Sequence, residues 1–243
     1  MLPKEFAKIP AVVEALKNPR NPQSILNYFC GCNLKDSKAK NALHIDENVE
    51  PLLNIWFRSG TALDHICRPF SPVIRELKAD PATLIEDHWV TIEGQAAKVL
   101  LADQLSRSCF RGTAEAFSYD QIGRQLCREL MKKNKIADTL KLPPALLYLL
   151  PWALAHSEDI NDLINACEII DTTIEKYPHF KLFERNKKAV DQHKQVLEKF
   201  GRYPQRNSEL GRNNTPLEKV WLADKDKLPT WAGGNLSFDK KIV

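Results

Sequence analysis

Apolar residues along this chain recur three and four positions apart, and nowhere does an apolar–polar alternation persist long enough to make a strand. A stripe of that period faces one side of a helix and is scattered over both faces of a strand. The chain is therefore restricted to packed helices. Glycine is scarce, at 9 of 243 residues, so the breaks fall mainly at the 15 prolines.

Taken in order, residues 1–17 read as one short amphipathic helix ended by Pro19 and Pro22, and Ser24 caps a segment bearing Ile25, Leu26, Tyr28 and Phe29. Residues 33–49 are polar and irregular and are expected as a surface loop. Leu52, Leu53, Ile55, Trp56 and Phe57 form an apolar knot, and a helix restarts through Leu63, Ile66, Cys67 and Phe70. From about Gly94 a helix turns Ala97, Leu100, Leu101, Leu105 and Cys109 one way. Gly112-Thr113 separates it from 119–133, where Ile122, Leu126, Leu130 and Met131 make a stripe. Pro143-Pro144 opens 145–155, Ser157 caps 158–177, and residues 185–200 form another helix. Thr215-Pro216-Leu217-Glu218 starts the last one, with Thr as cap, Pro in the first position and Glu reaching back.

The expected fold class is all-α, an antiparallel stack of about eight or nine short helices. Residues 1–23 are expected as an N-terminal helix and linker, 24–222 as a single all-helical domain, and 223–243 as a loosely ordered tail.

With 43% hydrophobic and 27% charged residues, the chain can bury a sizeable core. A net charge of +4 without a concentrated basic face gives no case for nucleic acid. The longest apolar run, 145–155, is interrupted by Pro151 and is too short for a membrane. Residues 1–20 alternate charged and apolar groups, which is no secretory signal. Lys4, Lys8, Lys17 and Arg20 lend a slight mitochondrial-presequence character that Glu5 and Glu14 oppose, so the cytoplasm is the expected compartment. The six cysteines read as reduced thiols, and Cys30-Gly31-Cys32 has one residue too few for a zinc knuckle or redox pair. There is no glycine-rich phosphate loop, no nucleophile motif and no metal-ligand spacing, so no cofactor is implied.

Three stretches are chemically dense. In 101–113, Asp103 and Arg107 are four apart and share a helical face, with Gln104 beside them and Arg111 one turn on. A carboxylate with two guanidiniums suits a buried ion network or the capture of an anion. In 148–159, His156 precedes a helix start that carries Glu158 and Asp159, acids that oppose the positive end of the macrodipole. An imidazole beside an apolar run is a structural residue, a general base or a ligand. The third stretch is His193 and the segment 200–218. There Gly201 and Gly211 permit backbone angles closed to other residues, Pro204 disfavours helix at Tyr203, and Arg202, Arg206 and Arg212 stand with Asn207.

The order and spacing of these stretches resemble the domain of unknown function 924 family. The residues that carry the likeness are Asp103-Gln104 with Arg107; Arg111-Gly112-Thr113 with Ala116-Phe117; Tyr148-Leu149 and Pro151 with His156-Ser157-Glu158-Asp159; and Phe200-Gly201-Arg202-Tyr203-Pro204, Arg206-Asn207, Leu210-Gly211-Arg212 and Thr215-Pro216 with Glu218. The likeness spans about 24–222. It implies an all-helical, tetratricopeptide-like fold and brings no activity with it. Two departures stand out. The family's Leu-Asp-Gln-Phe-Pro-Arg-Asn is here Ala102-Asp103-Gln104-Leu105-Ser106-Arg107-Ser108, and its histidine before Arg-Asn is Gln205.

Two function classes fit. One is a helical scaffold that binds a protein or peptide through exposed Trp and Arg. The other is a pocket for a small anionic ligand, with enzymatic acid–base chemistry, lined by Asp103, His156 and Arg206. In a third arrangement, compatible with either, arginines 202, 206 and 212 cap helix C-termini and tie Asp103, Glu158 and Asp159 into one ion network.

Overall fold

The computed structural model describes residues 1–234, and every regular element among them is helical. The all-α expectation holds. Helix ends fall where the chain supplies caps. Asn21 caps Pro22–Cys30, accepting from the Gln23 amide at 2.9 Å. The expected cap at Ser24 thus moves to Asn21, because Pro22 fits the first helical position, where no amide hydrogen is needed. Thr215 and Glu218 close a reciprocal capping box at the start of Pro216–Ala223, with Pro216 in the first position.

Three expected segments fold differently. Residues 1–17 divide into Pro3–Phe6 and Pro10–Lys17, because Ile9, which precedes a proline, is extended. This N-terminal part is no appended linker. Phe6 is fully buried, and its ring meets Tyr28 at 5.4 Å and Trp56 at 5.5 Å, both edge-on. Fully burying one such aromatic contributes about 1.5–3 kcal/mol, and each edge-on pair adds about 0.5–1.5 kcal/mol. Residues 33–49 are not one loop. Asp36 caps Ser37–Ala42, and Asp46–Arg58 begins within the segment and turns the apolar knot inward. The expected loose tail starts with ordered chain. Leu228 is fully buried, and a 3₁₀ turn at Thr230–Ala232 stacks Trp231 on His193 at 3.8 Å. The rest of that expected tail, 235–243, lies outside the described residues.

The centre is one helical rod made of Ile92–Leu100, a single π-turn at Leu101–Leu105, and Ser106–Cys109. All five residues of the π-turn are buried. Asp120–Leu130 packs across the rod, and Trp152–Ala155 packs against both. Gly123 sets how closely they meet. A Cβ there would lie 3.3 Å from the Cβ of Ala102 and 3.7 Å from that of Ala153. The missing side chain brings the first turn of Asp120–Leu130 up to the π-turn. Ile160–Lys176 and Leu182–Phe200 pack together as a hairpin on the other side of Trp152–Ala155. No described helix is long and apolar enough to cross a membrane.

Candidate functional site

Asp103 sits in the π-turn, where the backbone ring widens by one residue, a local feature that recurs at functional sites. Its carboxylate is 2% exposed. It accepts from Gln104 Nε2 at 2.5 Å and from Arg107 Nη2 at 3.0 Å, and it meets His156 Nδ1 at 2.7 Å. Burial alone would raise its pKa. The His156 ring and the Arg107 guanidinium, with the hydrogen bonds to His156 and Gln104, reverse that and hold it well below the usual carboxylate range.

Arg107 Nε also lies 3.3 Å from His156 Nδ1. One ring nitrogen cannot donate to a carboxylate and accept from a guanidinium. The shorter contact to Asp103 sets the tautomer, with the proton on Nδ1. Burial holds the His156 pKa below its ordinary value, against the opposing pull of Asp103 and with help from Arg107. The ring is therefore neutral at pH 7, and the contact with Asp103 is a charge-assisted hydrogen bond, not an ion pair. Nε2 keeps its lone pair and makes no hydrogen bond among the described residues.

A second carboxylate joins the centre to the loop. Asp120 Oδ1 accepts from Arg107 Nη2 at 3.0 Å, and its Oδ2 accepts from Arg206 Nη1 at 3.3 Å. Arg107 Nη1 is buried without a partner among the described residues. Arg206 is only 8% exposed, and its Cζ lies 4.9 Å from the Phe117 ring centroid and 4.7 Å from that of Tyr203. Burial, then the nearby Arg107 charge, lowers its pKa to about 10, which leaves it charged at neutral pH. Its bond to Asp120 is the one hydrogen bond of its guanidinium among the described residues.

Phe117, Asp120, Arg124, His156, Arg206 and Leu210, with residues 157–159, line a cleft of about 370 Å³. Arg124 reaches it from Asp120–Leu130, donating to Ser157 Oγ at 2.7 Å and to the wholly buried Asp162 at 3.1 Å, where Arg128 also pairs.

The three arginines of 200–218 do different things, and none caps a helix C-terminus. Arg202 forks onto Glu218 at 2.7 and 2.9 Å, which ties the loop to the capping box. Arg212 forks onto Glu158 at 2.6 and 2.9 Å, and the Tyr203 amide donates to the same carboxylate at 2.8 Å. The Tyr203 hydroxyl donates to the Ala155 carbonyl at 2.6 Å, and Asn207 Nδ2 reaches Asn214 at 2.6 Å. Gly201 and Gly211 take the positive φ these contacts require, at 68° and 64°. Only Arg206 turns to the cleft.

Some expected neighbours are not brought in. Arg111 is exposed and pairs with Asp64 at 2.9 Å, because the helix ends at Cys109 and offers no further turn. Asp159 joins no ion network among the described residues. It caps Ile160–Lys176 through the Asn161 amide at 3.0 Å, and it displaces Ser157, which accepts the Asp159 amide instead. Glu158 lies before that helix and not in its first turn. His193 is buried behind the cleft. Its Nδ1 donates to the Ala189 carbonyl at 2.8 Å, and its ring centroid is 5.8 Å from that of His156. Burial, then the neighbouring His156, pushes its pKa well below the ordinary value. Gln205, where the resemblance expects histidine, buries Oε1 without a partner among the described residues.

Sequence reasoning missed Asp120, Phe117, Arg124 and Trp231 as parts of this region. Phe117 and Asp120 were legible as neighbours of the first dense stretch. Nothing linear shows that Asp120 bridges two arginines 99 positions apart in sequence, at 107 and 206. Among the described residues no group of three or more His, Cys, Asp or Glu is placed to hold a metal ion.

A family model described as a bacterial protein of unknown function, DUF924, matches residues 43–226. The matched span thus begins later than the likeness expected from about residue 24, and Trp231 lies outside it. Among solved structures, a protein of unknown function from Agrobacterium tumefaciens is 27% identical, with a TM-score of 0.58. The likeness covers 77% of this chain and 99% of that one. A comparison with curated proteins gives no match.

Proposed function

The chain belongs to the DUF924 family, and on that premise we propose that its cleft is a small-molecule site, where Arg206 holds an anionic ligand and His156 gives or takes a proton. The observation that carries this reading is the uneven pairing. Buried polar groups of a purely structural network are expected to be fully satisfied. Arg202 and Arg212 each fork onto a carboxylate, although Arg212 Nε is buried without a partner among the described residues. Arg206, the most buried of the three, has a single long hydrogen bond beside its two ring contacts.

The chemistry follows from the tautomer. Asp103 holds Nδ1–H, so the lone pair of Nε2 is the basic site. As Nε2 takes a proton, the Asp103 carboxylate stabilises the imidazolium that forms. A base poised in this way contributes typically about 10²–10⁴-fold to a proton-transfer step. Asp120 holds Arg107 and Arg206 in register with each other.

The test is a thermal-shift screen of small anionic compounds against the wild type and Arg206→Gln. A true ligand at about 100 times its Kd stabilises the wild type by about 2.7 kcal/mol. Arg206→Gln is expected to fold and lose that response. If no anionic compound stabilises the wild type, or if the variant still responds, the reading is wrong.

A protein- or peptide-binding scaffold is the second reading. It is favoured by the last helix, where Leu217 and Val220 are 54% and 70% exposed. It predicts a partner that is lost with Val220→Glu and retained with Arg206→Gln.

A further inference from the structure

We propose that the ligand of the Arg206 cleft presents a carboxylate, a single negative charge, and not a phosphate group; this rests on the anion-site reading above.

The first reason is the number of charges available. Arg107 is shared between Asp103 and Asp120, Arg212 is forked on Glu158, and Arg124 is engaged by Ser157 and Asp162. Arg107 Nη1, Arg124 Nε and Arg212 Nε are also unpartnered among the described residues, but those charges are each matched by at least one nearer carboxylate, whereas Arg206 has one long bond, to Asp120. One guanidinium matches one charge. The second charge of a phosphate would face Asp120, Glu158 and Asp159, carboxylates on the same cleft.

The second reason is the state of the backbone donors. Phosphates are commonly taken by helix N-termini. Two helices begin at this cleft, and each carries its own acid there. Asp159 accepts the Asn161 amide of Ile160–Lys176, and Asp120 is the first residue of Asp120–Leu130, where no side chain caps the helix. The Asp159 amide is taken by Ser157 Oγ. A phosphate at either helix start would meet a carboxylate.

The third reason is the form of the receptor. A guanidinium is a planar fork that matches a carboxylate with two parallel hydrogen bonds. The Phe117 and Tyr203 rings keep water from it, so a one-to-one charge pair gains more there than it would at the surface. Phe117 and Leu210 give the carbon skeleton an apolar wall. At about 370 Å³ the cleft is near the lower end of ligand cavities, which suits an organic acid of few carbons.

The experiment follows the arginine Nε–H signals of the ¹⁵N-labelled chain at pH 7.5 and constant ionic strength. Sodium lactate, sodium benzoate and inorganic phosphate are titrated separately, and Arg206→Lys identifies the Arg206 signal by its loss. The expected result is a saturable shift of Arg206 with at least one carboxylate, at an apparent Kd about 10-fold or more below that for phosphate. Phosphate binding as tightly as either carboxylate overturns the carboxylate assignment and leaves the anion site standing. No saturable response to any of the three overturns the anion site, and this proposal with it.

Discussion

Asp103→Asn removes one charge and almost no volume, so no cavity term enters. The carboxylate takes three hydrogen bonds, from Gln104, Arg107 and His156. An amide has one oxygen, and its NH₂ must then face at least one of those donors. Arg107 is not stranded, because Asp120 still pairs with it at 3.0 Å and its side chain is 18% exposed. The cost is therefore below that of an uncompensated buried charge. Losing two charge-assisted bonds at about 1.5–3 kcal/mol each, and recovering one neutral bond of about 1 kcal/mol, leaves a net loss of about 3 kcal/mol. For a chain of this size that is roughly 6–12 °C in Tm, at about 2–4 °C per kcal/mol. Urea unfolding followed by circular dichroism measures it.

The same substitution changes the base. Without the carboxylate, Nδ1 is free to accept from Arg107 Nε, now 3.3 Å away, and the proton moves to Nε2. The Nε2 lone pair is then lost as a base. Imidazole ¹⁵N chemical shifts report the tautomer directly. A double-mutant cycle with His156→Gln should give an interaction energy of about 1 kcal/mol or more. A stability change below about 0.5 kcal/mol, within the range of ordinary surface substitutions, with the proton still on Nδ1, would refute the assignment of Asp103 as the group that orients His156.

Two further outcomes are expected. In Gly94→Ala the new Cβ would lie 2.4 Å from the His88 carbonyl oxygen and 2.7 Å from the Trp89 backbone. Backbone cannot swing away as a side chain can, so the variant should lose about 3 kcal/mol or more, or fail to fold, as read by thermal melting. Stability should also fall as pH drops. The folded pKa values of His156 and His193 are depressed, so the unfolded chain binds more protons below its histidine pKa of about 6.5. The full contribution is present above about pH 6.5 and is lost as pH falls from there towards the folded values, with a slope of at most about 1.4 kcal/mol per pH unit for each group. Asp103, also depressed, adds a further loss below about pH 4. Urea midpoints at pH 7.5, 6 and 5 test the sign; stability that rises between pH 7.5 and 5 contradicts it, and His193→Gln should flatten the upper part of the profile.

The helical period and the prolines determined the fold class and most helix positions, since both act locally. The capping box at Thr215 and the positive φ of Gly201 and Gly211 were legible for the same reason. Helix boundaries shifted where two caps competed, as at Asn21 over Ser24 and Asp159 over Ser157. Residue types marked Asp103, His156 and Arg206 as chemically unusual, but what each touches was decided only when the helices packed. A π-turn buried Asp103, the bare backbone of Gly123 let Asp120 approach it, and Asp120 drew Arg206 to the cleft while Arg202 and Arg212 fastened the loop around it. Local propensity depends on neighbours a few residues apart. Charge pairing among buried groups depends on distances in space, and the interior must satisfy them however far apart they lie in the chain.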